Sequence, residues 1–242
     1  ADFIGALLDA AGVQRAALVG HSWGSLIAME AAARLKDRIS HLVALGHPTT
    51  DYAPSRADSA QGTGRVSASA DSVRIIMADQ AVDRVELAGG SSGTYIYASK
   101  ASGDSLDTVK YQADRITFVL PKRLIHLVGA ASTDYHELTL KADKIDFDAK
   151  KEMLTAEPHP VLIDRGRSVG EEVNGKRVSY DLRSQRGTIY HGYTKYDTGF
   201  LFADSLRKVS DKELNAADGN YTTCDLAGKG EDPHFHFTSR KM

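Results

Sequence analysis

The chain has one cysteine and one tryptophan among its 242 residues, and neither sign of charge dominates. The single thiol, Cys224, excludes an internal disulfide framework and a cysteine-based zinc site, and it leaves the redox compartment open. Lysine and arginine number 30 against 32 acidic residues, and this net charge of −2 argues against a dedicated nucleic-acid binder. No apolar run approaches the roughly 18 to 20 residues that a membrane helix needs. Hydrophobic residues make up 42% of the chain, which is enough for a folded core.

Aromatic residues are scarce in the first 50 residues, where only Phe3 and Trp23 occur among 11 alanines. Alanine favours helices, whereas aromatic and β-branched residues favour strands. The composition therefore predicts an α/β fragment at 1–50 and a mainly β domain at 69–242. The stretch 51–68 is rich in Ser, Thr, Gly and Pro and is predicted as a linker. No signal peptide is recognisable, and we expect both ends to be cut from a longer protein.

The first 50 residues have the order strand, tight turn, helix, strand, which is typical of a βαβ unit. The turn contains Gly20, Ser22 and Gly24 in the spacing of the G-x-S-x-G nucleophile elbow. In that motif the serine lies on a strained turn, and the flanking glycines allow a close backbone approach. Residues 1–47 resemble the α/β-hydrolase family. The resemblance implies Ser22 as the nucleophile and the N–H of Trp23 as an oxyanion donor.

The partners that such a serine needs are not recognisable further along the chain. In the family an acid and then a histidine follow on later strands, and nothing after Pro48 resembles those strands. A serine without its base is a weak nucleophile, so we expect the chain not to be an enzyme. A serine hydrolase that uses Ser22 remains the alternative. The histidines without the family context are His126, His136, His159, His191, His234 and His236.

A unit of about 30 residues recurs in the remaining sequence. The clearest copies begin at Ala113 and Ala142, where an aspartate is followed by a strand with alternating apolar residues. A third begins at Gly175, a fainter one at Ala203 and an early one at Ala70. Such repeats predict stacked hairpin or V-shaped layers around one continuous core. The aspartates are predicted at the corners between strands, with carboxylates that accept turn N–H groups. They are Asp114, Asp143 and Asp204.

The alternation assigns one apolar face to the repeats. That face forms either a solid core or a trough for lipid chains, and periodicity does not separate the two. The residues predicted to line it, and to bind lipid if it is a trough, are Ile116, Phe118, Leu127, Leu138, Leu140, Ile145, Phe147, Val178, Tyr180 and Leu182.

Three pieces of the β domain share more than the repeat pattern with a known family. They are 140–148 with 154–157, then 175–182 with 186–189, and finally 218–225 with 233–237. In this order, and with the Tyr-Thr-Thr-Cys ending at 221–224, residues 70–242 resemble the OstA-like family. These are periplasmic β-jelly-rolls of lipopolysaccharide transport, and the last piece is most similar to the LptD branch. The resemblance implies a mainly β fold, a repeat-built OstA-like β-jelly-roll preceded by a short α/β fragment.

The same resemblance implies a non-enzymatic function without a cofactor. The jelly-roll would bind and relay lipopolysaccharide or lipid A in the periplasm or at the outer membrane, with acyl chains in an apolar groove and anionic headgroups outside. Other jelly-rolls of the transport system would join by edge-strand addition. The family's outer-membrane barrel would lie outside this chain, as would a cysteine that pairs with Cys224. A β scaffold that binds no lipid stays possible.

One further pattern places two imidazoles, His234 and His236, on one face of a predicted strand. Two ligands are too few for a metal ion, so we expect no metal site.

Overall fold

The computed structural model describes residues 2–52, 65–98, 106–165, 172–184, 186–210 and 213–241. The first elements are α1 (Asp2–Ala10), β1 (Ala16–His21), α2 (Trp23–Arg34) and β2 (Ile39–Leu45). Then come β3 (Thr49–Tyr52), β4 (Arg65–Ser69), β5 (Ser72–Ala78), β6 (Ala81–Ala98), β7 (Leu106–Val119), β8 (Leu124–Tyr135) and β9 (Leu138–Asp148). The last strands are β10 (Met153–Ala156), β11 (Val161–Asp164), β12 (Glu172–Asn174), β13 (Arg177–Asp181), β14 (Arg186–Tyr196), β15 (Gly199–Ser210), β16 (Glu213–Thr222) and β17 (Phe237–Lys241). The protein is therefore mainly β with an N-terminal βαβ unit, which confirms the predicted fold class. Within these ranges, no helix has the length and apolarity to cross a bilayer.

The βαβ unit is built as its sequence predicts. Strands β1 and β2 run parallel, with His21 opposite Leu45 at their carboxyl ends. Gly12 follows α1 with a left-handed φ of 65°, and its N–H donates to the carbonyl of Asp9, so it ends the helix. Helices and strands share a small core of Leu8, Ala28, Ala32, Ile39 and Leu42.

The long strands of the β domain are bent, because the pairing register shifts near the middle of each. The shifts lie between Ala88 and Ser91, between Gln112 and Arg115, and between Val128 and Ala131. At the last of these, Gly129 has a φ of 81° and the Asp114 carboxylate lies where a Cβ would stand, so only glycine fits. These bends divide each long strand into two parts.

The two parts form two half-sheets that meet along the line of bends. Half-sheet A contains, in order, β1, β2, β5, β6 (81–88), β7 (115–119), β8 (124–128), β9 (144–148), β10, β13, β14 (186–190), β15 (205–208) and β16 (214–217). Half-sheet B contains β3, β4, β6 (91–98), β7 (106–112), β8 (131–135), β9 (138–142), β11, β12, β14 (192–196), β15 (199–203), β16 (219–222) and β17. This is the layered, V-like arrangement that the repeats predict.

The repeat aspartates lie at or beside the bends, but their carboxylates do not have the predicted partners. Asp143 Oδ2 lies 3.0 Å from His159 Nδ1, and Asp204 Oδ1 lies 3.7 Å from His191 Nδ1. Turn N–H groups are accepted instead by Asp148, which receives those of residues 150 and 151 at 3.0 and 3.1 Å. Asp181 does the same after β13 for the N–H groups of residues 183 and 184, so these turn-capping aspartates lie at outer turns, where the chain reverses and leaves N–H groups unpaired.

The α/β unit and the β domain form one continuous sheet. Strand β2 pairs antiparallel with β5, from His41 opposite Ile76 to Leu45 opposite Ser72. Strands β3 and β4 occupy both ends of the stretch predicted as a linker, and they pair with each other. Its centre, 53–64, lies outside the described residues.

Candidate functional site

The inner face of half-sheet A is apolar from end to end. Residues that lie directly opposite each other on neighbouring strands point to the same face, so the pairings trace rows of side chains across the sheet. One row extends from β2 to β16, and every member is at most 5% exposed. It consists of Ala44, Val73, Leu87, Ile116, Leu127, Ile145, Ala156, Val178, Ile189, Leu206 and Ala216.

Half-sheet B supplies the opposite wall, and aromatic rings bridge the two walls. The ring centroids of Tyr95 and Phe147 are 5.4 Å apart. Tyr111 meets Phe118 at 6.3 Å, and Tyr135 meets Tyr180 at 6.4 Å. In each pair the tyrosine named first belongs to half-sheet B. These contacts make one core of the two inner faces.

The space between the walls is nearly filled by these side chains. An apolar cleft remains, with a volume of about 20 Å³. That volume has room for about one water molecule. An acyl chain therefore enters only if the two half-sheets move apart. The cleft is lined by Tyr95, Val109, Tyr111, Ile125, Leu127, Thr133, Phe147, Leu154 and Leu182.

The structure places the predicted lining residues on these inner walls. Leu138 and Tyr180 are partly buried, and the other eight are buried: Ile116, Phe118, Leu127, Leu140, Ile145, Phe147, Val178 and Leu182. Leu127, Phe147 and Leu182 contact the cleft itself. Sequence reasoning missed Val109 and Tyr111, although 107–113 alternates as clearly as the segments that it used. Whether any of them binds lipid remains a prediction.

Burial in this apolar space controls the ionisation of its tyrosines. It raises the pKa of Tyr111 and of Tyr180 far above the usual value, and for Tyr180 the neighbouring hydroxyl of Tyr135 adds to the rise. The pKa of Tyr95 is also raised by burial. These phenols therefore stay neutral at physiological pH, and the lining carries no charge from them.

Asp107 and Asp164 are buried, and other charged groups lie on the outer face. Asp146 Oδ1 is 2.6 Å from His126 Nδ1, and Lys144 Nζ donates to Asp146 Oδ2 at 2.6 Å. Burial disfavours the charged form of Asp146, but these two hydrogen bonds outweigh it and lower its pKa. Neighbouring cationic chains on this side are Lys150 and Lys151, both exposed.

The N-terminal unit contains the predicted nucleophile elbow. Ser22 has φ 52° and ψ −122°, a strained conformation for a residue with a side chain. A Cβ on Gly20 would lie 2.5 Å from the backbone of Gly24 and Ser25, which explains this glycine. A Cβ on Gly24 would meet nothing within 4 Å, so the predicted need for two glycines is wrong for the second one. Trp23, the predicted oxyanion residue, begins α2 with a side chain that is 80% exposed.

One histidine near the elbow was missed by the sequence analysis. The N–H of Ser22 donates to the carbonyl of Leu45 at 3.2 Å, which places the end of β2 beside the elbow. Two residues later, His47 Nδ1 lies 3.1 Å from Asp71 Oδ1. No hydrogen bond between Ser22 and His47 occurs in the described structure. In the hydrolase family the acid precedes the histidine, whereas here His47 precedes Asp71, and Asp71 belongs to the β domain. The order of residues in the sequence therefore did not reveal the pair.

The C-terminal histidines do not form the predicted strand pair. His234 and His236 precede β17 in irregular chain, so strand alternation does not align them. His234 Nδ1 lies 3.7 Å from Cys224 Sγ. Cys224 is partly buried and is a free thiol in the described residues. Its pairing with a cysteine outside the chain remains a prediction.

Comparisons with known proteins found one family model and similar solved structures. A family model described as the alpha/beta hydrolase fold matches residues 1–68. Among solved structures, the chain is similar to LptH, the LptA-homologous periplasmic component of the lipopolysaccharide transport device from Pseudomonas aeruginosa. The TM-score is 0.33 and the identity 16%, over 47% of this chain and 82% of that chain. No curated protein matches the chain significantly.

Proposed function

We propose that the β domain binds the acyl chains of lipopolysaccharide and relays them in the periplasm, as the soluble part of an outer-membrane assembly protein. The observation that carries the proposal is the unbroken apolar row on half-sheet A, from Ala44 to Ala216. Acyl chains need such a continuous apolar face to cover, and the filled core of a stacked sheet has one as well. The resemblance of residues 70–242 to the OstA-like family points to the same function.

Binding requires opening, because the cleft is too small for a lipid chain. We propose that half-sheets A and B separate and that acyl chains replace the aromatic contacts such as that of Tyr95 with Phe147. The exchange is feasible in energy, since each buried methylene contributes about 0.8 kcal/mol. The apolar surface that opening exposes is covered again by the lipid. The phosphorylated headgroup would stay outside, near exposed cations such as Lys150.

A titration of the full chain with fluorescent lipopolysaccharide, competed with unlabelled lipid A, tests the proposal. We expect saturable binding that lipid A displaces. Binding that only the sugar portion displaces would contradict acyl-chain recognition. No binding by a protein with a native circular dichroism spectrum would favour the scaffold alternative.

The proposal includes no catalytic activity, and one observation favours the alternative. The elbow keeps its strained geometry, and the His47–Asp71 pair lies two residues beyond the strand end that contacts Ser22. If His47 turned towards Ser22, it would have the role of a base oriented by an acid.

A fluorophosphonate probe decides between a protein without catalytic activity and a serine hydrolase. Serine attack would form an Oγ–P bond and release fluoride, while the Oγ proton passes to the imidazole. We expect no labelling of the wild-type chain above that of Ser22→Ala. Labelling that is lost in both Ser22→Ala and His47→Gln would support the hydrolase. His191→Gln is the matched control, since His191 also lies near an aspartate at a bend.

A further inference from the structure

The outer face of half-sheet B has a polar cavity, here called the outer pocket, across β3, β4, β6, β7 and β8. Its volume of about 390 Å³ lies in the range of about 300–1,000 Å³ that is usual for small-molecule sites. Two neighbouring rows of side chains form it, because residues directly opposite each other on paired strands point to the same face. One row contributes Thr49, Ser69, Ser92 and Gln112, and the other contributes Ser67, Thr94, Lys110 and Asp134.

The floor of the outer pocket is backbone, and it is held from the inner side. Between the two rows lie Ala68, Gly93 and Tyr111, whose side-chain positions face the core. The Tyr111 hydroxyl donates to the carbonyl of Ser67 at 3.0 Å and so joins β7 to β4 across β6. A Cβ on Gly93 would lie 2.5 Å from that hydroxyl, so only glycine allows the contact. The floor is therefore preformed, which lowers the cost of ordering a site around a ligand.

Most groups of the lining both donate and accept hydrogen bonds. Of the eight side chains in the two rows, five carry hydroxyls and one carries an amide, and all eight are at least partly exposed. Ser69 Oγ and Ser92 Oγ lie 3.4 Å apart. Among the described residues, the side chains of Ser67, Thr94 and Gln112 have no hydrogen-bond partner. Their polar atoms are therefore available to a ligand.

The two charged groups of the lining oppose each other. Lys110 lies opposite Asp134 in the β7–β8 pairing. Asp134 Oδ1 accepts a hydrogen bond from Thr139 Oγ1 at 2.5 Å, and Arg165 Nη2 lies 4.0 Å from the same oxygen. An anion would meet the carboxylate of Asp134, and a cation would meet the ammonium group of Lys110. The outer pocket therefore favours an uncharged ligand.

We propose that the outer pocket binds a neutral saccharide. Sugar hydroxyls donate and accept hydrogen bonds, as the lining does. The lining groups repeat at about 4.8 Å between strands and about 6.8 Å along each strand, so a sugar ring can meet several of them at once. The ring of Tyr111 faces the core, so stacking adds nothing and we expect a Kd in the millimolar range. This site is separate from the inner walls and does not rest on the function proposed for them.

Titration of the full chain with two neutral saccharides, followed by saturation-transfer-difference NMR, tests the proposal. One is maltotriose, and the other is a neutral oligosaccharide prepared from the outer sugars of lipopolysaccharide. We expect saturable binding of at least one. Binding of only the second would identify lipopolysaccharide as the source of the ligand, whereas binding of maltotriose would identify a site for free oligosaccharides. Absence of saturable binding by both would overturn the proposal, as would displacement of the sugar by an equal concentration of inorganic phosphate.

Two variants locate the binding. Thr94→Val and Gln112→Met each remove one polar group at nearly constant shape, and the loss of one hydrogen bond should raise the Kd about 3- to 10-fold. Thr117→Val is the matched control, since Thr117 is also a half-exposed threonine on an outer face, but in half-sheet A. Its Kd should equal that of the wild type. An unchanged Kd in both pocket variants would overturn the assignment.

Lipid A titration of Thr94→Val reports the function of the inner walls separately. Thr94 lies on the outer face, so we expect the wild-type affinity for lipid A from a protein whose sugar binding is weakened. Loss of both affinities together would overturn the separation of the two sites.

Discussion

Replacing Phe147 with aspartate is the sharpest test of the groove. Phe147 is 5% exposed, lines the cleft and contacts Tyr95 across the two half-sheets. A carboxylate at this position retains water, and an acyl chain that passes it loses the burial of about three or four methylenes. At about 0.8 kcal/mol each, the loss is about 2–3 kcal/mol. We therefore expect the Kd for lipid A to rise about 30- to 150-fold.

Val128→Asp is the matched control, because Val128 is 43% exposed and lies opposite Lys144, which is also outside the inner rows. Its Kd should stay within twofold of the wild-type value in the same fluorescence titration. Phe147→Asp also removes a buried ring, and the loss of such a ring costs about 3–5 kcal/mol. Circular dichroism and urea unfolding establish that the variant is folded. If Phe147→Asp is not folded, Phe147→Ala, which adds no charge, replaces it in the lipid titration. A folded Phe147→Asp protein with unchanged lipid affinity would refute the groove.

The remaining predictions concern stability. Gly20→Ala should lower the free energy of unfolding, measured by urea titration, by about 1–3 kcal/mol, because its Cβ would overlap the backbone. Gly24→Ala should be neutral or stabilising by about 0.5–1 kcal/mol in the same titration, because a Cβ on Gly24 would lie in open space. The pKa of Asp146 is lowered in the folded state. Its charged form therefore contributes to the free energy of unfolding above the ordinary pKa of 3.8, and this contribution is lost as the pH falls below that value. Acid unfolding followed by circular dichroism should therefore be shallower for Asp146→Asn, and an identical acid transition would contradict the ion-pair argument. Burial raises the pKa of Tyr111 above its model-peptide value of 10.0, so stability should fall as pH rises beyond 10. Tyr111→Phe should weaken this alkaline loss, and an unchanged alkaline transition would count against burial as the cause.

The junction between the α/β unit and the β domain bears on how the protein unfolds. The β2–β5 ladder, the shared residue Ile75 and a hydrogen bond from Arg15 Nη2 to the carbonyl of Met77 at 3.3 Å join the two parts. The helices alone cover a small core of five buried residues. We infer that this core is stable because it is attached to the larger sheet, since a core of this size supplies little burial energy alone.

Local pattern predicted many of the elements and the apolar faces of the repeats. Alternation in 113–120 and 142–148 predicts strands with one buried face, and the period of two leaves no other placement for Ile116 and Ile145. The G-x-S-x-G spacing likewise predicts the strained turn at Ser22. The mainly β fold with an α/β start followed from the same signals together with the family resemblance.

Partners distant in sequence were decided only by the tertiary structure. The sequence predicts a strand after the helix of the βαβ unit and strands in the repeats, but strand pairing leaves no mark within either segment. The β2–β5 ladder that joins the two parts was therefore not foreseen. The approach of Asp71 to His47 depends on that ladder for the same reason. The choice between a trough and a filled core depended on how rings from two half-sheets pack, and Tyr95 against Phe147 closes the space. Periodicity determines which side chains face inward, because it is a property of a single strand. The volume that they leave between them is a property of the whole assembly.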